Sequence, residues 1–522
     1  VTTLRIQLLN GLDRGLAVAL AGLLLGASLA FGGAVWWARP AITGATLAVV
    51  LAWLARVALA GGPWRILKSP MTGLGALALG LGVVQLLPLP ASLANRLSPR
   101  AAAVASHGMI AEKALADDPS AHVPPPFLAR SPLTLDRPAT LRWLAGASAC
   151  LALFWVTSHF SDRLGKAQAI WGSVVAAFFV NAILGAVQLT SQSGGLYGSI
   201  VPGQGPAWAP SFGDAMNAPS EASLRPVGED RPDRPAMAAA RVGRPFLIGS
   251  LMGGPGAFLA LGSLALPLAL GMMLQMLASR GNREGLMARL RDSGQGSLVV
   301  LMLGLVGGGT FLVGALAGRI PSVPFAVGLA LAGVAGTWSS GSRTLGLATT
   351  ALILGLLAAG VAAGDASARG ELGIPALPRL DWAGNRATWS ESLPILRDFP
   401  IVGTGLGTFP AVHPYYKTRD AAPNTAMSSL LQWAVESGAV GLGLLATAGL
   451  WCLVRLPGAI DRVGTADRAL AFGLLGSMTC FGLFSAIHWT VELAAVALAA
   501  AAVAGTGNRW LAGGSDLFVD QG

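Results

Sequence analysis

The sequence predicts an all-α, polytopic membrane protein of about twelve transmembrane helices joined by long external loops. Three observations carry this. The 522 residues are 53% hydrophobic and 11% charged, with a mean hydropathy of +0.62. Many apolar runs reach the roughly 18–20 residues needed to cross a bilayer as a helix. Arginine and lysine gather in alternate connections, as the positive-inside rule requires. The net charge of +10 is therefore read as topology, and no nucleic-acid partner is implied. Length alone would allow several soluble domains; composition replaces them with a single integral membrane unit over 1–522. Cys150, Cys452 and Cys480 fall in or at the ends of apolar runs. A disulfide framework is not expected, and no Cys/His metal spacing is present. The reading includes no metal and no cofactor.

Taken in order, the first three spans lie near 16–37, 41–60 and 71–88. Arg5 and Arg14 precede the first and Arg65 and Lys68 the third, which places the amino-terminal side in the cytoplasm. Residues 89–139 form an external segment, read as a connector lying on the membrane surface. Span four, near 140–160, is followed inside by Arg163 and Lys166, and span five lies near 167–189. The external loop 191–247 is rich in Pro, Gly, Ala and charge, a composition that buries little apolar surface. Span six, near 249–277, has Gly253, Gly254, Pro255 and Gly256 near its outer end, which suggests a broken or closely packed helix. The loop 279–296 carries Arg280, Arg283, Arg289 and Arg291, an inside signal. Spans seven to nine, near 297–317, 322–340 and 344–363, put Arg319 at an outer turn and Arg343 at an inner one. A large external loop covers 364–427. Span ten, near 428–453, leads to Arg455, Arg462 and Arg468 inside. Spans eleven and twelve, near 469–487 and 490–506, flank His488, and the carboxyl-terminal tail returns to the cytoplasm.

Polar groups collect in one stretch, Gly384 to Leu442. It holds Asn385-Arg386 with Trp389, a helix-like segment, then Asp398-Phe-Pro-Ile-Val-Gly403-Thr-Gly405-Leu-Gly407-Thr-Phe409. Leu430-Leu-Gln432, Glu436, Gly438 and Gly441-Leu442 follow. This arrangement resembles the large external loop, and the helix leaving it, in the O-antigen ligase and O-antigen polymerase family. The resemblance implies a type C glycosyltransferase-like fold. It implies inverting transfer of a glycan from a polyprenyl pyrophosphate carrier to a lipid-core or glycan acceptor, at the outer face of the bacterial inner membrane. That chemistry belongs to lipopolysaccharide or exopolysaccharide assembly in the cell envelope. The chain departs from the family at one position: where a histidine is usual, nine residues before Glu436, it has Met427.

Transfer from a lipid pyrophosphate needs cations where the leaving group's charge develops, and arginine binds phosphate through two donors at once. Arg386, within the motif, and Arg319, at an outer turn, are the candidates. Ser340-Gly-Ser-Arg343 is closer in wording to the family's arginine, but the topology puts it inside. The acceptor hydroxyl wants a base within reach. His413 lies in the loop beside Tyr415 and Tyr416, His488 at an outer span end, and Glu436 within span ten. Trp389, Lys417 and Arg419 complete the candidate substrate contacts, with Arg397 a weaker one. The glycine run has no following Lys-Ser/Thr and no preceding strand, so it is not a nucleotide-phosphate loop; it permits a tight turn. Membrane lipids are the remaining expected partner. Two other classes stay open: a non-catalytic relative that binds a glycan lipid, since methionine accepts no proton, and a polysaccharide transporter. The latter is disfavoured by the lack of an internal repeat and by few acidic residues inside spans.

Overall fold

The computed structural model describes residues 2–61, 67, 69–101, 103, 130–191, 247–248, 251–252, 254–278, 295–335, 343–372, 380–419, 423–464 and 467–513. Most of the segment 191–247, the middle of 89–139 and the arginine-rich segment 279–294 lie outside these residues. Within them the chain is almost wholly helical, the form in which apolar sequence satisfies its own backbone groups.

The helices are α1 (Thr2–Leu29), α2 (Ala38–Ala60), α3 (Met71–Leu86), a short α4 (Ala91–Leu97), α5 (Arg137–Phe160), α6 (Leu164–Ser191) and α7 (Gly254–Ala278). There follow α8 (Gln295–Ala317), α9 (Val323–Ala330, continued by a π turn over Leu331–Ala335), α10 (Arg343–Ala368), α11 (Trp382–Asp398), a single turn α12 (Phe409–Val412), α13 (Ser429–Asp461), α14 (Arg468–Ile487) and α15 (Ala494–Leu511). Two two-residue ladders are the strands among the described residues, Leu89–Pro90 with Arg130–Ser131 and Leu247–Ile248 with Leu251–Met252. Nine of the described helices are long and apolar enough to cross a membrane: α1, α2, α5, α6, α7, α8, α10, α13 and α14. The shorter apolar α3 runs between the same two ends of the bundle, from beside Asn508 near the end of α15 to Gln85 at the large loop.

Those two ends differ in chemistry. Both carry arginines; at one, called the arginine end, they tie helix termini together. There Arg5 donates to the carbonyls of Leu59 and Ala60, Asp13 bridges Arg56 and Lys166, and Arg455 donates to the carbonyl of Leu511. The other holds the large loop: Leu380 N–H donates to the carbonyl of Leu316 at 3.3 Å, and Arg319, just past α8, pairs with Asp365 near the end of α10. Successive helices alternate between the arginine end and this loop end, as the charge pattern predicts.

The centre of the bundle is α7, whose most apolar window is 94% buried. It packs against α6, α8, α9 and α14. Small residues set the spacing. A Cβ on Gly271 would stand 2.7 Å from the Cα of Gly473, and one on Gly328 2.7 Å from the carbonyl oxygen of Gly476. These helices meet backbone to backbone.

The described ends of segment 89–139 pack against the loop end. Leu133 is buried with Ala94 and Val402. Thr134 N–H donates to the carbonyl of Gln85, and Leu135 N–H to that of Thr404, both at 3.0 Å.

Candidate functional site

At the loop end the glycine run and α13 form one unit. Helix α13 is interrupted at Gly438, whose φ of 61° and ψ of −157° break the helical ladder. A break leaves carbonyls and N–H groups without their helical partners, and in an apolar setting these must be satisfied by other protein. The run 400–405 does this. Thr404 and Gly405 N–H donate to the carbonyls of Val435 and Glu436, each at 3.1 Å. Beyond the break, Ala439 and Val440 N–H donate to the carbonyls of Pro400 and Ile401 at 2.8 and 3.1 Å. The approach is so close that a Cβ on Gly403 would overlap the backbone of Glu436 and Ser437. Glycine is needed there both for its positive φ and for space.

Two side chains lock this clasp. Gln85, fully buried at the end of α3, donates to the carbonyls of Val402 and Glu436 at 2.7 and 3.0 Å, and accepts from Leu406 N–H at 3.0 Å. Glu436, 2% exposed, accepts from Gly407 N–H at 2.7 Å through one oxygen and from Phe409 N–H at 3.1 Å through the other. Gln432 donates to the second oxygen as well. The carboxylate thus holds the start of α12, where free N–H groups favour a negative charge.

A second polar cluster ties the following segment to α11. The Glu391 side chain is 1% exposed. It accepts two hydrogen bonds from the guanidinium of Arg419, at 3.0 and 2.9 Å, and two from Thr418, through N–H and hydroxyl. Burial raises a carboxyl's pKa, but these donors outweigh it and hold Glu391 down at about 2. His413 is fully buried, with Nε2 3.2 Å from Glu391 and its ring stacked on Phe409. Burial pushes its imidazole below the ordinary range more than Glu391 pushes it back. The Nδ1 atom of His413 is buried without a hydrogen-bond partner among the described residues.

The sequence candidates therefore fall in different settings. Arg386 is exposed on α11. Arg319 is exposed too, 80% at its side chain, and bound to Asp365 at 3.0 Å; no hydrogen bond or ion pair among the described residues joins it to Arg386. Lys417 is exposed, whereas Arg419 is committed to Glu391. Trp389 Nε1–H donates to the carbonyl of Met427 at 3.0 Å. Met427 is itself buried, with a φ of 53°. His488, 1% exposed, ends α14 with Nδ1 3.3 Å from the buried Asn385 amide. Gly256, at the start of α7, lies directly against its ring. Arg343 begins α10, at the end opposite Arg319.

The structure adds groups that the sequence reading passed over. Arg39 and Arg142, exposed at the starts of α2 and α5, are near enough to repel each other, and neither meets a carboxylate among the described residues. Glu492 lies in the connection between α14 and α15. It accepts from Ser429 hydroxyl at 2.9 and 3.0 Å and from Thr490 N–H at 2.9 Å, and its charge reaches Glu436. Arg142 follows the proline-capped start of α5 and Glu492 sits at a span boundary; an ionisable group at such a place is the one signal that marks them. Comparison with protein-family models, curated proteins and solved structures finds no match to this chain.

Proposed function

We propose that this protein is a membrane glycosyltransferase with twelve spans and a type C-like fold. It would move a glycan from a polyprenyl pyrophosphate to a lipid-core or glycan acceptor at the outer face of the bacterial inner membrane. The observation that carries the reading is the set of exposed arginines at the loop end, Arg386, Arg39 and Arg142, that no carboxylate neutralises among the described residues. A dianionic leaving group is the chemistry such cations serve. The resemblance is supported by the way its two motifs close on each other, the glycine run completing the broken helix that carries Glu436. In this reading Arg386 meets the pyrophosphate, and Arg319 joins it only by exchanging Asp365 for phosphate. Trp389, Glu436 and Arg419 build the loop that presents Arg386.

A second reading is a non-catalytic relative that binds a glycan lipid. Buried Met427 and buried His413 favour it, because neither offers an acceptor hydroxyl an accessible base. Purified protein in proteoliposomes, given a labelled polyprenyl pyrophosphate glycan and candidate acceptors, separates the two. Transfer supports the enzyme. Saturable donor binding with no transfer to any acceptor supports the binder, and neither binding nor transfer removes both.

A further inference from the structure

We propose that Glu492 is the general base of this transfer, an assignment that rests on the glycosyltransferase reading above. The loop end holds several carboxylates among the described residues, and all but one are committed. Asp365, Glu371, Glu391 and Asp398 each face an arginine. Asp136 and Asp381 cap helices through Ala139 and Gly384 N–H. Glu436 is 2% exposed and enclosed by the N–H groups of Gly407 and Phe409. Glu492 differs on three counts. No cation reaches it among the described residues. It is partly exposed. Its hydrogen bonds come from neutral donors, Ser429 hydroxyl and the backbone N–H groups of residues 490–492, which orient the carboxylate without pairing its charge.

Its place in the fold suits the task. Ser429 opens α13, Ser428 donates to the carbonyl of Ala486 at 2.8 Å, and Ser429 N–H donates to the carbonyl of His488. The same His488 touches Asn385, the residue before Arg386 on α11. The junction of α11, α13 and the connection 488–493 therefore brings the base and the cation expected at the leaving group to one region. A second hydroxyl, that of Ser485, is 2.7 Å from Thr490 and extends the relay. In the step, the acceptor oxygen forms a bond to the anomeric carbon and its proton passes to Glu492. The bond from that carbon to the pyrophosphate oxygen breaks, and its electron pair leaves with the polyprenyl pyrophosphate.

The test uses full-length protein in proteoliposomes with a polyprenyl pyrophosphate glycan, an acceptor glycan, and azide as an alternative nucleophile that has no proton to lose. Glu492→Gln keeps the size of the side chain and an acceptor for Ser429. It should lower transfer to the hydroxyl acceptor about 10²–10⁴-fold, leave the donor KM unchanged, and form glycosyl azide as fast as wild type does. Glu492→Asp should retain part of the transfer. Equal hydroxyl transfer by Glu492→Gln and wild type overturns the assignment while leaving the transferase reading intact. So does a Glu492→Gln protein slowed equally toward hydroxyl and azide, which marks a structural role. A wild type that transfers to neither nucleophile removes the transferase reading and the base with it.

Discussion

The two ends of the bundle handle charge in opposite ways. At the arginine end, Asp13 joins Arg56 and Lys166 at 2.9 and 2.8 Å, with its side chain 20% exposed. At the loop end, Glu391 holds Arg419 and His413 with its side chain 1% exposed. The first arrangement is what wet charges at the edge of an apolar bundle adopt. The second is a folded polar interior in which every donor is placed. The difference teaches that one end is tied by partly solvated pairs, while the other is built to hold a surface in shape.

Breaking one ion pair at each end is the strongest way to test this contrast. Arg419→Ala leaves Glu391 buried without its cation, a lesion worth about 3–5 kcal/mol. Asp13→Asn removes a partly solvated pair, for which about 1 kcal/mol or less is expected. Thermal unfolding of the two variants, purified in detergent, reads the difference. Equal midpoints would mean that the loop end is no more constructed than the arginine end.

The clasp offers the next largest effect. Gly438→Ala forces a side chain into a left-handed conformation against the carbonyl of Ile401, with strain of about 1–3 kcal/mol. Gly443→Ala, one turn beyond in the same helix, has open space around it and should be neutral or stabilising by up to about 1 kcal/mol. A lower midpoint for the first and not the second is expected. If both behave alike, the break at Gly438 is not a fixed feature of the helix.

Much of this architecture was legible in the chain, and the limits are physical. Apolar runs marked the nine long apolar helices among the described residues, because that signal is local and follows from the solvent. The glycine run was legible as a tight turn. That it completes a helix some thirty residues later was not, since the break at Gly438 shows only when Val435 and Glu436 lose their helical partners. Gln85 lies still further off, 317 residues from Val402, and nothing near it in sequence announces the contact. His413 reads as a loop residue because Lys417 and Arg419 follow it. Its burial comes from Glu391 and Phe409, which only the folded loop brings to it. Trp389 was singled out as a substrate contact, yet its N–H serves the backbone of Met427.

Acid should sharpen the comparison more gently. Glu391 is held at about 2, below the ordinary carboxylate value of about 4.3. Its contribution is complete above that ordinary value and is lost as pH falls through about 2. His413 is also depressed, so the unfolded chain takes up its proton first and stability falls as pH drops below about 6.5. Both signs agree, and the segment 409–419 should loosen in acid by roughly 1 kcal/mol at moderate acidity. Hydrogen exchange at pH 7 and pH 4.5 tests it. Unchanged protection of 409–419 between the two would show that His413 is not coupled to the fold there, because the Glu391 contribution is still nearly complete at pH 4.5.

The smallest effect on stability is expected at the arginines that the functional reading needs most. Arg386 is exposed and has no ionic partner among the described residues, so Arg386→Ala should shift stability by no more than about 0.5 kcal/mol. Arg319→Ala breaks one exposed pair with Asp365 and should cost about 0–1 kcal/mol. Their effects on a bound pyrophosphate should be far larger. Loss of a charge-assisted contact costs about 1.5–3 kcal/mol, at least tenfold in donor binding. Arg386 is free to make that contact, whereas Arg319 must first release Asp365, so Arg386→Ala should weaken binding more. Asp365→Asn frees Arg319 and should tighten binding if Arg319 takes part at all. Titration of a fluorescent polyprenyl pyrophosphate against the three variants reads all of this at once. If Arg386→Ala binds like wild type, the exposed arginines serve lipid headgroups, and the anion-binding role of the loop end fails even with its fold intact.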